Sequence, residues 1–197
     1  MALLVYAGET EAGEKAVAPF RALAAPVADM LRPMRYPEMF QPVEEGYHPV
    51  AIGRTMLVDA VDHESTRTII DQLEASTAPM RVTQIRALGG AMARVPAEST
   101  AFAHRDARLM VSVAAVYERP EEAEVHEAGV TAFAAALRRG TDRAYVNFLA
   151  DEGEARIREA YPGSTWDRLA TIKGRYDPTN LFRLNQNVPP GAVDPGR

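Results

Sequence analysis

The run from Leu109 to Tyr117 places Leu109, Val111, Val113, Ala115 and Tyr117 on one side of an extended chain, the two-residue period of a strand with one buried face. A second run, Arg81 to Leu88, sets Thr83, Ile85 and Ala87 against Val82, Gln84 and Arg86. Gly89-Gly90 after it suits a bulge or a close backbone approach. Ala51 to Val58 and Ala144 to Leu149 read as further strands, and Leu3 to Tyr6 as a short one closed by Gly8.

Helical spacing fills the intervals. Thr10 is a candidate cap for a helix with Ala16, Val17, Phe20, Leu23 and Ala24 on one face, kinked at Pro19. Ser65 is a candidate cap for a second carrying Ile69, Ile70 and Leu73, ended by Ser76 to Pro79. Pro120 with Glu121, Glu122 and Glu124 suits the positive end of a third. Its expected buried stripe is Val125, Ala128, Ala132, Phe133, Ala136 and Leu137, with Gly140 as the stop. A short helix is expected over Arg156 to Tyr161. Ser164 and Asp167 then have the spacing of a capping box for a last helix that buries Trp166, Leu169, Ala170 and the stem of Lys173. Strands joined by helices without strict βαβ alternation predict an α+β fold, an antiparallel sheet with helices packed mainly on one face.

Between Ala25 and Val50, prolines are interspersed with Met30, Met34, Tyr36, Met39, Phe40 and Tyr47. The segment reads as a packed irregular loop, with a binding site as the alternative. At 197 residues and 47% hydrophobic, the chain is expected to form one compact domain. Such a domain buries on the order of 70% of the surface its unfolded form exposes.

Charge and composition exclude several functions. Twenty-two basic residues against 27 acidic ones give a net charge of −5, and no Lys/Arg stripe exists to follow a phosphate backbone, so nucleic acid is not an expected partner. Without cysteine there is no disulfide, thiolate metal site or cysteine nucleophile. MALLVYAG is too short and lacks the basic lead of a signal peptide, and no apolar run reaches the roughly 20 residues of a membrane span. A soluble, cytoplasmic protein is expected.

The motif inventory is equally restrictive. His48, His63, His104 and His126 show no zinc spacing. There is no G-x-G-x-x-G, no P-loop and no G-x-S-x-G elbow. The acidic pairs Glu44-Glu45, Glu121-Glu122 and Asp151-Glu152 read as solvated surface rather than as a catalytic acid and base.

Three segments carry more. Leu88-Gly89-Gly90-Ala91 with Arg94-Val95, followed by Thr100-Ala101-Phe102 and His104-Arg105, resembles the GGA…R…TAF-x-HR block of bacterial berberine-bridge-like oxidases. Tyr145-Val146-Asn147-Phe148 resembles their Y-x-N-[FY] strand. Arg168-Leu169, Lys173, Tyr176-Asp177-Pro178, Asn180-Leu181-Phe182 and Asn185-Gln186-Asn187 resemble the family's RL…K…YDPxNLF…NxN ending. Asp177 to Asn180 has turn composition in its own right, and Leu181 and Phe182 are expected to anchor that turn on the core.

The resemblance implies the substrate domain of a vanillyl-alcohol-oxidase-type flavoprotein over residues 1–190, begun partway, with 191–197 as a disordered tail. In such enzymes an FAD domain precedes the substrate domain. The implied cofactor is FAD, not expected to be retained by this chain alone. Asn147, Asn185 and Asn187, with Gln186 between the last two, would lie along the cofactor. For Asn185 and Asn187 a turn-satisfying amide pair stands as the alternative. Gln84, Arg86, Tyr145 and Phe148 would face a small-molecule substrate. Several family members have a tyrosine base at the position of Phe148, and a phenyl ring cannot take a proton. Tyr145 is the tentative replacement, with strand packing as its other reading.

Two functions follow. One is the substrate-domain part of an FAD-dependent oxidoreductase, needing an FAD-binding domain in trans because no side chain here accepts a hydride. The other is a non-catalytic small-molecule-binding or dimerisation module, or a remnant of such an oxidase, associating as a homodimer through an exposed apolar face or a sheet edge.

Overall fold

The computed structural model describes residues 2–40 and 48–192, which fall into two compact units, Met1–Tyr47 and His48–Arg197. Glu44, Glu45 and Tyr47 lie outside the described residues, as do 193–197 of the expected tail.

The first unit holds α1 (Thr10–Arg21) and a 3-10 turn, Tyr36–Met39. Glu9, in extended conformation, occupies the cap position expected of Thr10, and Pro19 lies inside the last turn of the helix. Leu3 to Tyr6 is not a strand: among the described residues none pairs with it, and Leu3 and Val5 are exposed. The apolar stripe of α1 is exposed too, with Phe20 and Leu23 both open to solvent.

The second unit is built on three strands, β1 (Val50–Val58), β2 (Met80–Ala87) and β3 (Leu109–Tyr117), in the spatial order β1-β3-β2 with both pairings antiparallel. The alternation of β3 sets the register. Met56 and Ile85 both lie opposite Val111, and Arg54 and Thr83 both lie opposite Val113. These residues share the face covered by α2 (His63–Ala75) and α3 (Ala123–Arg138). The core forms there, from Met56, Val111 and Val113 with Val130, Phe133, Ala134 and Leu137, flanked by Ile69 and Leu73. Burial of each larger side chain contributes about 1.5–3 kcal/mol. The α+β expectation, with helices packed on one face, holds.

Local chemistry differs from expectation at four places. Asp62, not Ser65, caps α2: its Oδ1 accepts the Ser65 amide at 2.8 Å, since Ser65 already lies inside the first turn. On α3 the buried stripe is His126, Val130, Phe133, Ala134 and Leu137, one step round from the expected one. Val125 and the alanines Ala128, Ala132 and Ala136 are exposed. Alanine on every side of the helix erased the periodic signal, and the Tyr117 ring, 4.8 Å from that of His126, draws the histidine inward. The third difference is Ala144 to Leu149, which is not a strand. After extended Tyr145 it closes into a 3-10 turn over Val146–Phe148, with the Phe148 amide donating to the Tyr145 carbonyl at 2.9 Å. Just before it the chain runs along the outer edge of β1, where the Leu57 amide donates to the Arg143 carbonyl and the Thr141 hydroxyl to the Leu57 carbonyl.

The fourth is the last helix. α4 (Glu154–Ala160) and α5 (Ser164–Tyr176) complete the unit, and Gly163 at φ 53°, not a serine side chain, leads into α5. Trp166, Leu169, Ala170 and Lys173 are half-buried, and the Gly191 amide donates to the Ala170 carbonyl at 2.8 Å.

Candidate functional site

The face of the sheet turned away from α2 and α3 carries polar rows. Thr55, Ser112 and Gln84 lie side by side across the three strands, and the Thr55 and Ser112 hydroxyls are 3.0 Å apart. One row along, Leu57, Met110 and Arg86 are neighbours. Leu57 and Met110 join Ala107, Leu88, Phe102 and Tyr145 in a small apolar cluster. The Arg86 guanidinium sits 4.9 Å from the centre of the Phe148 ring, a cation–π distance. Phe148 lies 5.7 Å from Tyr145, and Tyr145 is edge-on to Phe102 at 5.3 Å. Arg86, Tyr145 and Phe148 are thus one cluster, with Gln84 two residues along the same face.

Asn147 links this cluster to a cleft. Its Nδ2 donates to the Tyr145 hydroxyl at 2.7 Å, and its own residue lines an open cavity of about 820 Å³ together with Asp151, Glu154, Ile157, Asn185 and Asn187. The three asparagines expected along one ligand therefore share one wall system. Asn185, at φ 61°, adopts the left-handed conformation that asparagine tolerates, and its carbonyl accepts the Asn187 amide at 3.0 Å. Gln186 laces the two walls together, its Nε2 donating to the carbonyls of Leu149 at 2.5 Å and Ala150 at 3.1 Å. Asn187 Oδ1 is buried and has no hydrogen-bond partner among the described residues. An orphaned acceptor of this kind beside a cavity fits a ligand with N–H donors on a polar edge.

The tail approaches this cleft through a turn held by polar groups. Asp177 accepts the Leu181 amide at 2.8 Å and the Phe182 amide at 3.0 Å and pairs with Lys173 at 2.5 Å. Lys173 and then the two amides hold its carboxyl below the usual carboxylate range. The Asn180 amide closes the turn on the Asp177 carbonyl, with Asn180 at φ 53°. Leu181 and Phe182 are not anchors. They are 71% and 78% exposed, with Leu184 at 84%, and it is their backbone amides, bonded to Asp177, that hold the turn.

Beneath the cleft lies a feature that charge counting missed. Glu152, 4% exposed, is the hub of a buried ion cluster and not a solvated surface acid. Its Oε2 lies 3.2 Å from Arg138, 3.3 Å from Arg156 and 3.7 Å from Arg54. Arg156 also donates to the Thr55 carbonyl at 3.0 Å and pairs with Glu159, and burial lowers its pKa. The cluster joins α3, α4 and β1, and so fixes the Ala150–Glu154 wall. Apart from the i,i+4 pair Glu152 and Arg156, no spacing in the sequence announces it, since its members lie between 4 and 102 residues apart in the chain. His104 is similarly structural: buried, its Nε2 donates to the Glu159 carbonyl at 2.7 Å. Arg105 ties its own loop through Phe102, Met92 and Thr100. Among the described residues no cluster of histidine and acidic side chains has a metal-holding arrangement, and no helix is long and apolar enough to cross a membrane.

Comparison with known proteins points the same way. The family model described as "Berberine and berberine like" matches residues 144–189, the segment that contains every residue lining the cavity. The uncharacterised FAD-linked oxidoreductase YvdP of Bacillus subtilis (strain 168) is 28% identical over 142 residues, 72% of this chain and 28% of that protein. The uncharacterised FAD-linked oxidoreductase YgaK of the same organism is 33% identical over 108 residues, 53% of this chain and 23% of that one. The structure of glycopeptide hexose oxidase DBV29 complexed with teicoplanin superposes with a TM-score of 0.66 at 20% identity, covering 77% of this chain and 34% of that one. The chain spans less than a third of the length of these two curated relatives. It is a relative of the berberine-bridge-like FAD-linked oxidoreductases, matching part of such a protein and sharing its fold.

Proposed function

We propose that this chain is the substrate-domain part of a berberine-bridge-like FAD-dependent oxidoreductase, working with an FAD-binding domain provided in trans. The carrying observation is the coincidence of Asn147, Asn185 and Asn187 on one cavity, with the Asn187 acceptor unpartnered, next to the Tyr145–Phe148–Arg86 cluster. Amide side chains offer donors and acceptors together, the donor set that the polar edge of a flavin requires. When bound, FAD supplies hydride acceptance, which no protein side chain here provides.

The remaining work falls to the chain's own residues. Asn147, Asn185 and Asn187 orient the cofactor's polar edge, and Gln186 keeps their two walls at fixed separation. Gln84 and Arg86 meet the substrate from the sheet. With Phe148 unable to accept a proton, Tyr145 is the remaining hydroxyl of the cluster and takes the role of base, its oxygen held by the Asn147 amide. The exposed side chains of Leu181, Phe182 and Leu184 give the tail an apolar surface on which a partner domain can dock.

That same surface favours the second reading, a non-catalytic binding or homodimerising module. One experiment separates the two. The chain is co-expressed with the isolated FAD-binding domain of a berberine-bridge-like relative and purified through a tag on the chain. A yellow complex with a flavin absorbance band, reduced when Asn187→Ala is introduced, is the expected result. Colourless protein that retains no flavin domain rejects the proposal, and a dimer in light scattering under those conditions favours the second reading.

A further inference from the structure

We propose that His104 is a positioning residue for Tyr145: its buried bond to the end of α4 holds Phe102 edge-on against the Tyr145 ring, and protonation of the imidazole releases that ring. The link stands on geometry, and its consequence for turnover rests on reading Tyr145 as the base.

Three observations carry it. The first is how the loop 100–108 is anchored. It is irregular throughout, and of its residues only His104 and Ala107 are buried. His104 is 6% exposed, and its Nε2 donates to the Glu159 carbonyl at 2.7 Å. That carbonyl lies in the last turn of α4, where a side-chain donor stands in for the amide that the ended helix no longer supplies. The second is the line of rings. Phe102, two residues before His104, is edge-on to Tyr145 with centres 5.3 Å apart, and it lies 6.4 Å from the imidazole with the planes 82° apart. Tyr145 therefore meets this loop through Phe102, and the loop meets α4 through His104. Edge-to-face pairing depends on separation and tilt, so a displacement of the loop passes to the Tyr145 ring.

The third is what a second proton on the ring would meet. Arg143 acts on the imidazole as a cation and Asp106 as an anion, and Arg143 is itself shared between Asp59 at 2.7 Å and Asp106 at 3.5 Å. Arg105, the neighbouring cation, is bonded to Phe102, Met92 and Thr100. From α4 the ring meets the Glu159 carbonyl, while the Glu159 carboxylate pairs with Arg156. Burial and Arg143 oppose the imidazolium and Asp106 offsets them only in part, so the charged ring is accommodated by moving toward water. That movement gives up the bond to α4 and takes the support of Phe102 with it.

The test uses the 197-residue chain, isotope-labelled in its tyrosine and histidine rings and its backbone amides, in an NMR pH titration. It runs from about pH 7.5 to about pH 4.5, beginning above the ordinary histidine value of about 6.5 and continuing below it. The Tyr145 signal is identified by its loss in Tyr145→Phe and the His104 signal by its loss in His104→Gln. In the parent chain the Tyr145 signal should shift with the same midpoint as His104, while the amides of Val111 and Val113, both in the core, keep their folded positions. His104→Gln, which can still donate to the Glu159 carbonyl, should leave the Tyr145 signal near its neutral-pH position and remove its movement on acidification. His104→Ala should displace that signal at neutral pH. A Tyr145 signal that does not follow His104 overturns the proposal, as does one that moves equally in His104→Gln. Movement that comes only with loss of the folded Val111 and Val113 signals also overturns it, since it reports unfolding of the whole unit. The titration contains no flavin and no partner domain, so its failure is distinct from failure to capture a flavin domain.

Discussion

The side-chain amide of Asn147 donates to the Tyr145 hydroxyl at 2.7 Å, and this one bond connects the cleft to the ring cluster over the sheet. Both partners belong to a local turn, so the fold does not depend on the bond. Asn147→Ala is expected to change unfolding free energy by less than about 1 kcal/mol, the range of a single solvent-accessible hydrogen bond. The same variant should weaken flavin-domain capture in the pull-down, because it removes a cleft-lining amide and frees the Tyr145 ring. A large loss of thermal stability would show that the bond has a structural role instead.

Glu152 presents the opposite balance. Truncating it removes the buried counter-charge shared by Arg54 and Arg156, each 8% exposed, and leaves them only the more exposed Glu127 and Glu159. Removing one member of a buried ion cluster costs about 3–5 kcal/mol, so Glu152→Ala should lower the urea midpoint sharply. Glu152→Gln, which keeps the acceptor and loses the charge, should fall between. Equal stability of Glu152→Ala and the parent chain would show that water reaches the arginines freely.

What could be read in the sequence follows the range of the interactions. The alternation in Leu109 to Tyr117 is a property of consecutive residues and located β3 without error, and the sidedness of Gln84 and Arg86 followed from the same rule. The tail turn at Asp177 was legible because its chemistry is local. By contrast, the stripe of α3 was misplaced by one step, because alanines at Ala128, Ala132 and Ala136 look apolar whether buried or not. The outward position of Leu181 and Phe182 escaped for a related reason: hydrophobicity states a preference for burial and cannot name the surface that provides it. Glu152 was invisible because its partners come from β1, α3 and α4, and only the folded arrangement assembles them.

Asp177 should make the docking of the tail acid-sensitive. The Lys173 ammonium, followed by the Leu181 and Phe182 amides, lowers its pKa in the folded state, so the unfolded state binds a proton more readily. Its stabilisation is complete above the ordinary carboxylate range, about pH 4, and is lost as pH falls through the depressed native value. Limited proteolysis between 181 and 184 should accelerate on acidification in that window. Asp177→Ala should show the fast rate at neutral pH, and a rate insensitive to both changes would sink this account of the turn.

His104 acts at a higher pH with the same sign. Burial, and after it the positive charge of Arg143, lower its pKa, while Asp106 opposes them in part. Its Nε2 proton is already committed to the Glu159 carbonyl, so protonation must place a second proton on Nδ1 in a site that disfavours the cation. The unfolded chain takes that proton near the ordinary histidine value of about 6.5, ahead of the folded one. Stability contributed by neutral His104 is therefore complete above that value and declines as pH falls toward the lower native pKa. Melting temperature measured from pH 7.5 to 5 should drop in the parent chain, and His104→Gln, which can donate one hydrogen bond without titrating, should flatten the curve across that interval. An unchanged slope in His104→Gln would assign the pH dependence to other groups.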